Sequence, residues 1–291
     1  MKQLVVNDVV NVWKDGKPIT INRNDLVDKI IRQELDKVRI AVLKKDRDWH
    51  SVIDGEEGVG KSVFAQQVAL YLDPNFTLDN IIFTADQFLK KIKDPNTKPG
   101  TAIVLDEAFN AANARASMSE VNRSMAGVAT EMRQKNLFIL IVLPSFFDLD
   151  RYFALWRCKC LFHLYFNENE DRRYIIFPKN QKKLLYLNGK KTYNYSKPRS
   201  PFPPCVFPHL YVVDEEEYRE KKGNAFAKRA VSHQARKWLL QRNAYIMHLI
   251  MKYKLKQEEV CKIPEKNGVD AVTQQQISVI MKEILQREAD V

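Results

Sequence analysis

The chain has 291 residues, of which 45% are hydrophobic and 29% are charged, a composition typical of globular proteins. It contains no run of about eighteen apolar residues, and its N-terminus lacks the apolar segment of a signal peptide. We therefore expect no integral membrane segment and a cytoplasmic location, or the host cytoplasm if the protein is viral. Four scattered cysteines exclude a disulfide framework and fit a reducing compartment.

The net charge is +11, and the basic excess is concentrated toward the C-terminus. From residue 219 to residue 291 there are 15 Lys and Arg against 8 Asp and Glu. Such an excess favours a phosphate-rich partner, which is either nucleic acid or a membrane surface.

The first segment, residues 1–48, is predicted to hold a hairpin and a helix that pack on the core. The hairpin joins the apolar runs 9–13 and 18–21 through a turn at residues 14–17. Apolar residues then recur at helical spacing over residues 24–45, with Asn24 as the expected N-cap.

Residues 49–197 alternate strands and helices. Apolar strands are predicted at 49–54, 80–84, 102–105 and 137–143, with helices at 64–72, 85–93 and 115–135 between them. This order predicts an α/β fold, in which a parallel sheet is covered on both faces by helices. A β extension is expected to follow, with strands at 157–165, 174–177 and 183–187 and a hairpin turn at residues 188–189.

Residues 55–62 read GEEGVGKS and match the phosphate-binding loop G-x-x-x-x-G-K-[ST]. Because the apolar strand 49–54 precedes it and a helix follows it, its backbone amides are expected to surround phosphate oxygens at a helix N-terminus. Lys61 is expected to reach the β- and γ-phosphates, and Ser62 to bind Mg²⁺. The predicted nucleotide ligands are Gly55, Gly58, Val59, Gly60, Lys61, Ser62 and Val63.

A second acidic element follows strand 102–105. Asp106 is expected to hold Mg²⁺, and Glu107 to polarise the water that attacks the γ-phosphate. The other interpretation is a helix N-terminus at which two acidic residues are favoured by the helix dipole. No N-K-x-D motif for guanine is present, so ATP is the expected nucleotide.

Four further residues, three arginines and one serine, are candidates for catalysis. Arg133 near the end of helix 115–135 is a candidate finger onto a neighbouring subunit's γ-phosphate, as are Arg115 and Arg123. The alternative for each arginine is a solvated face or a surface ion pair. Ser145, which follows strand 137–143, either senses the γ-phosphate or caps the next turn.

The run Glu131-Met132-Arg133-Gln134-Lys135-Asn136, the apolar strand after it and Pro144-Ser145-Phe146-Phe147-Asp148-Leu149-Asp150 resemble the FtsK–HerA group of RecA-like ATPases. The resemblance covers residues 49–166 and implies a RecA-like P-loop NTPase core. It also implies a homo-oligomer, a hexameric ring, that moves or packages double-stranded DNA. The phage-assembly ATPases of the zonula-occludens-toxin type have similar core motifs and remain an alternative.

Beyond a proline-rich strap or linker at 198–224, residues 225–291 are predicted to form a small helical domain. Helices at 235–252, 256–261 and 273–287 resemble a helix-turn-helix. The alternative is a helical lid or a subunit-packing domain. The candidate DNA contacts are Arg236, Lys237, Thr273, Gln274, Gln275 and Gln276.

Together these features predict an ATPase that requires Mg²⁺ and acts as a motor on DNA, in translocation, packaging or transfer. Two alternatives stay open. One is an ATP-gated DNA-binding regulator or loader with slow turnover, and the other is the phage-assembly ATPase named above.

Overall fold

The computed structural model describes residues 9–106, 129–229, 233–266 and 273–289. The chain divides into two compact units, Met1–Ala225 and Phe226–Val291. Among the described helices, none has both the length and the apolar composition needed to cross a bilayer.

The first unit combines strands and helices in the predicted alternation. The described strands are β1 (Val9–Lys14), β2 (Lys17–Asn22), β3 (Trp49–Gly55), β4 (Ile81–Ile82), β5 (Ala102–Leu105), β6 (Phe138–Val142), β7 (Cys160–Phe166), β8 (Arg172–Pro178) and β9 (Cys205–Val206). The described helices are α1 (Lys29–Lys44), α2 (Lys61–Leu72), α3 (Ala85–Lys93), α4 (Ala129–Gln134), α5 (Lys179–Gly189) and α6 (Glu215–Arg229), the last of which runs across the boundary between the units.

Strands β3 to β9 form one sheet in the order β4-β5-β6-β3-β7-β8-β9. The pairs from β4 through β7 are parallel, whereas β8 and β9 add antiparallel to that edge. The carboxyl ends of β3, β5 and β6 therefore lie at the same edge of the sheet. The phosphate loop follows β3 there, and Asp106 follows β5, with β6 lying between those two strands.

The sheet is buried on both faces, which explains its uninterrupted apolar strands. Alternate side chains of β6 enter different cores, because successive residues of a strand point to opposite faces. Leu140 and Val142 pack in the core that contains α1 and α2, whereas Ile139 and Ile141 pack in the core that contains α3 and α5. The prediction of a sheet flanked by helices on both faces is confirmed, but the sheet is mostly parallel where an entirely parallel one was predicted.

Two local predictions are wrong. Helix α1 begins at Lys29, where Asp28 accepts a hydrogen bond from the Ile30 amide at 2.9 Å, so Asn24 is not its N-cap. Residues 183–189 belong to α5, so neither the strand predicted at 183–187 nor the hairpin turn predicted at 188–189 is present. The buried positions of α5 fall on one helical stripe, which packs the segment into the second core: Lys182, Leu185, Tyr186 and Gly189.

The second unit is helical. It contains α7 (His233–Tyr253), α8 (Gln257–Lys266) and α9 (Gln274–Ala289). A small core joins these three helices through Ile246, Val260, Ile277 and Ile280. The three predicted helices are therefore present, whereas their use as a helix-turn-helix stays a prediction.

Candidate nucleotide site

The phosphate loop connects β3 to α2 through three glycines with positive φ. These angles are 132° at Gly55, 77° at Gly58 and 95° at Gly60, a range of φ that residues other than glycine rarely adopt. Gly55 also requires the absence of a Cβ, which would lie 1.8 Å from the Leu164 carbonyl oxygen of β7. Gly60 is the N-cap of α2, so the first amides of that helix face the loop.

Lys61 folds back over the loop that it terminates. Its ammonium donates to the carbonyl oxygens of Gly55 at 2.8 Å and of Glu56 at 2.7 Å. Val59 and Val63 on either side are buried, and Val59 packs in the core that contains α1 and α2. The lysine charge is thereby held against the carbonyl oxygens of the loop.

Ser62 and Asp106 meet at the edge of the sheet, although 44 residues separate them in the sequence. The Ser62 hydroxyl donates to Asp106 Oδ1 at 2.8 Å. Asp106 is fully buried, and its amide donates to the Ile82 carbonyl of β4 at 2.8 Å. The two residues predicted to bind Mg²⁺ are therefore adjacent, and both supply the oxygen ligands that Mg²⁺ prefers.

Helix α6 contacts the same aspartate, a feature that the sequence did not indicate. The Tyr218 hydroxyl donates to Asp106 Oδ2 at 2.5 Å, and Lys222 Nζ lies 3.9 Å from that oxygen. Tyr218 and Lys222 are four residues apart and thus share one face of the helix. Asp106 is bonded on one oxygen by the phosphate-loop helix and on the other by α6.

The segment before α6 lies on the phosphate-loop helix. Gln67 of α2 donates to the carbonyl oxygens of Pro208 at 2.6 Å and Leu210 at 2.9 Å, and both Gln66 and Gln67 are fully buried. The Phe207 ring packs against Phe64 of α2 at a centroid distance of 5.1 Å. The strap predicted at 198–224 therefore ends where α6 begins at Glu215, and these contacts hold its last residues on α2, next to the start of α6.

A buried polar cluster adjoins the loop at Asp54, the residue before Gly55. Asp54 accepts from the Tyr195 hydroxyl at 2.5 Å and from the Phe146 amide at 2.7 Å, and its other oxygen lies 2.9 Å from His163 Nδ1. Burial and the Asp54 carboxylate raise the pKa of Tyr195, so its hydroxyl stays protonated as a donor. Ser145 joins this cluster through its hydroxyl, 3.1 Å from that of Tyr195.

Ser145 also forms the cap that the sequence offered as its second interpretation. Its hydroxyl accepts from the Phe147 amide at 3.3 Å, at the start of a short 3-10 turn, Phe146–Asp148. Its predicted role as a γ-phosphate sensor is not tested by this geometry.

The other predicted residues lie away from these contacts or outside the described residues. Glu107, Arg115 and Arg123 lie outside the residues that the structure describes. Arg133 is exposed on α4. Arg236 and Lys237 lie in α7, and their side chains are not described.

The four candidate DNA contacts before and within α9 are exposed, but two of them cap that helix. Thr273 Oγ accepts from the Gln276 amide at 3.3 Å, and Gln276 Oε1 accepts from the Thr273 amide at 3.1 Å. This reciprocal pair is a capping box. Gln274 and Gln275 lie in the first turn beside it.

No family model matches the chain, and no curated protein matches it. Among solved structures, the N-terminal domain of zonular occludens toxin from Neisseria meningitidis is similar at 16% identity and a TM-score of 0.35, over 60% of this chain and 98% of that domain. A TM-score of this size establishes no relationship, and the chemistry of the site follows from the contacts above.

Proposed function

We propose that this protein binds and hydrolyses Mg·ATP at the phosphate loop. The observation that carries the proposal is the 2.8 Å hydrogen bond between Ser62 and Asp106. Two motifs that predict the same metal ion from separate parts of the sequence are brought together by the fold, beside the loop lysine. A glycine-rich turn that matched the motif by chance would not be expected to lie beside a buried aspartate.

The residues fit Mg²⁺ and a nucleoside triphosphate. Mg²⁺ is usually held by one or two protein oxygens together with substrate phosphates, and the described residues hold no cluster of three His, Cys, Asp or Glu that would suit a metal bound by protein alone. Bound Mg²⁺ would neutralise the charge that develops on the phosphate oxygens. The amides of residues 58–63 and the Lys61 ammonium would hold those phosphates.

Hydrolysis additionally requires a residue that orients the attacking water. Glu107 directly follows Asp106 in the sequence and is proposed for that role. Ser145 is proposed as the γ-phosphate sensor and Arg133 as the finger onto a neighbouring subunit, which requires a ring or another oligomer. The resemblance to the FtsK–HerA group supports such a RecA-like ring.

The work that hydrolysis drives is proposed to be movement or packaging of DNA. The basic C-terminal region and the exposed start of α9 support it. A phage-assembly ATPase of the zonula-occludens-toxin type is the alternative, and the similar structure reported above carries that name. An ATP-gated regulator or loader is a third possibility.

Phosphate release by the full chain tests the activity. We expect Mg²⁺-dependent turnover, with Lys61→Ala losing both nucleotide binding and turnover, and Glu107→Gln losing turnover while it still binds. Lys90→Ala is the matched control, because Lys90 is an exposed lysine on α3, away from the loop. Equal turnover in Lys61→Ala and Lys90→Ala would show that residues 55–62 are not the site.

The same preparation separates the three tasks. A motor on DNA should show turnover stimulated by duplex DNA, and its DNA binding should weaken steeply with salt. A regulator or loader should bind DNA in a nucleotide-dependent way with slow, unstimulated turnover. If DNA produces neither effect and anionic vesicles stimulate turnover, the result would favour the assembly ATPase. The mass of the assembly with a non-hydrolysable ATP analogue tests the ring.

A further inference from the structure

Helix α6 completes the surroundings of the predicted metal-binding aspartate. Ser62 bonds Asp106 Oδ1, whereas Oδ2 accepts from Tyr218 and faces the Lys222 ammonium at 3.9 Å. Asp106 is fully buried, so its charge requires partners within the protein. Two of those partners come from α6, which neither motif of the nucleotide site includes.

Tyr218 is held firmly in this position. It is only 4% exposed, and its ring packs against Phe83 at 5.9 Å and Tyr211 at 6.0 Å between centroids. The helix that carries it is capped by Asp214, whose carboxylate accepts from the first two amides after Glu215 at 2.9 and 3.0 Å. A hydroxyl fixed in this way orients the carboxylate that it touches.

Lys222 acts on the same oxygen through its charge. Its ammonium lies 3.4 Å from the Tyr218 hydroxyl and 5.6 Å from the centre of the Tyr218 ring. The side chain is largely buried, at 20% exposure, so the charge is only partly screened by solvent. A cation at this distance stabilises the buried carboxylate and repels a second cation that approaches it.

We propose that Tyr218 and Lys222 are positioning residues that set the metal affinity of Asp106 in opposite directions. Tyr218 holds the carboxylate in the orientation that binds the metal. Lys222 competes with the metal for the carboxylate charge. This inference rests on the proposed function, since it assumes that Asp106 serves a nucleotide-bound Mg²⁺.

The competition also links the metal to α6. If Lys222 weakens metal binding, the metal must weaken the hold of Lys222 on Asp106 by the same factor, because coupling between two sites is reciprocal. Mg²⁺ at the nucleotide site would therefore loosen the contact between α6 and the sheet edge. Helix α6 is the last helix of the first unit.

The test measures binding of a fluorescent ATP analogue by the full chain across a Mg²⁺ series, with EDTA as the metal-free point. Tyr218→Phe should raise the Mg²⁺ concentration at half-saturation about 10-fold, the size of effect usual for partners of metal ligands. Lys222→Met should lower that concentration about 5-fold or more. Metal-free binding of the analogue should stay unchanged in both variants.

Two controls are matched to these changes. Tyr152→Phe removes the hydroxyl of an exposed tyrosine, and Arg219→Met removes a positive charge from an exposed position on α6. Both should keep the wild-type half-saturation point. A thermal melt establishes that every variant is folded, and a variant that merely loosened the fold would also lose metal-free binding.

Hydrogen exchange supplies the second readout. Amides of residues 215–225 should exchange faster with Mg²⁺ and nucleotide than with nucleotide alone, and Lys222→Met should remove that difference. Half-saturation points equal to wild type in both Tyr218→Phe and Lys222→Met, or shifted in the same direction, would overturn the inference. Failure of the wild type to bind nucleotide would instead refute the proposed function.

Discussion

Substitution of the loop glycines should separate two physical requirements of the motif, which are the positive φ angles and the close approach of β7 to Gly55. Gly55→Ala places a Cβ 1.8 Å from the Leu164 carbonyl oxygen and keeps a φ of 132°. The strained backbone and the forced shift of β7 each cost about 1–3 kcal/mol, so the expected loss of unfolding free energy is about 4 kcal/mol. Gly58→Ala meets no atom within 4 Å at a φ of 77°, and should cost about 1–2 kcal/mol.

Urea unfolding of the full chain provides the measurement, with tryptophan fluorescence as the signal, to which the buried Trp49 of β3 contributes. Gly223→Ala in α6 is the control of opposite sign. The new Cβ meets no atom within 4 Å, and alanine favours the helix over glycine by about 0.5–1 kcal/mol, so this variant should be more stable than the wild type. Equal losses for Gly55→Ala and Gly58→Ala would refute the close approach of β3 and β7 at the loop.

Three further predictions concern the surroundings of the site. Tyr195→Phe should cost about 1.5–3 kcal/mol in a thermal or urea melt, because it removes a part-buried hydrogen bond to the buried Asp54 carboxylate, whereas Tyr193→Phe, on an exposed tyrosine of the same segment, should cost far less. Burial lowers the pKa of His50, so below pH 6.5 its imidazole binds a proton in the unfolded chain but stays neutral in the folded chain. Between pH 7.5 and 5.5 the wild type should therefore lose about 1 kcal/mol more unfolding free energy than His50→Asn, and an equal loss would contradict the neutral buried imidazole. Gln67→Met should cost about 2 kcal/mol and speed proteolysis within residues 197–213, since two strap carbonyls lose their donor, and unchanged cleavage would count against the docking of the strap.

The sequence predicted those parts of the molecule that are encoded locally. The phosphate loop, the strand before Asp106 and the flanking helices are all visible in short runs of residues, because each depends on spacing and apolar pattern. Helix α5 was missed for a related reason. Its segment contains Leu184 and Leu187, both exposed, and only packing against the second core determines which residues of the segment are buried.

The contacts missing from the sequence prediction join distant parts of the chain. Tyr218 meets Asp106 across 112 residues, and Tyr195 meets Asp54 across 141 residues. Tyr218 lies in the segment predicted as a strap or linker, Tyr195 lies at the end of the predicted β extension, and no motif marks either residue. Asp54 alone carried a signal, since a buried acid directly before the first loop glycine requires partners.

The most direct test of the nucleotide site is a double-mutant cycle on Ser62 and Asp106, with Mg²⁺-dependent ATP binding measured by calorimetry. If both residues serve one metal ion, Ser62→Ala and Asp106→Asn should each weaken binding in Mg²⁺ and have little effect in EDTA. Their combined effect should depart from the sum of the single effects by about 0.5–3 kcal/mol. Strictly additive losses, or losses that persist in EDTA, would contradict a shared metal site.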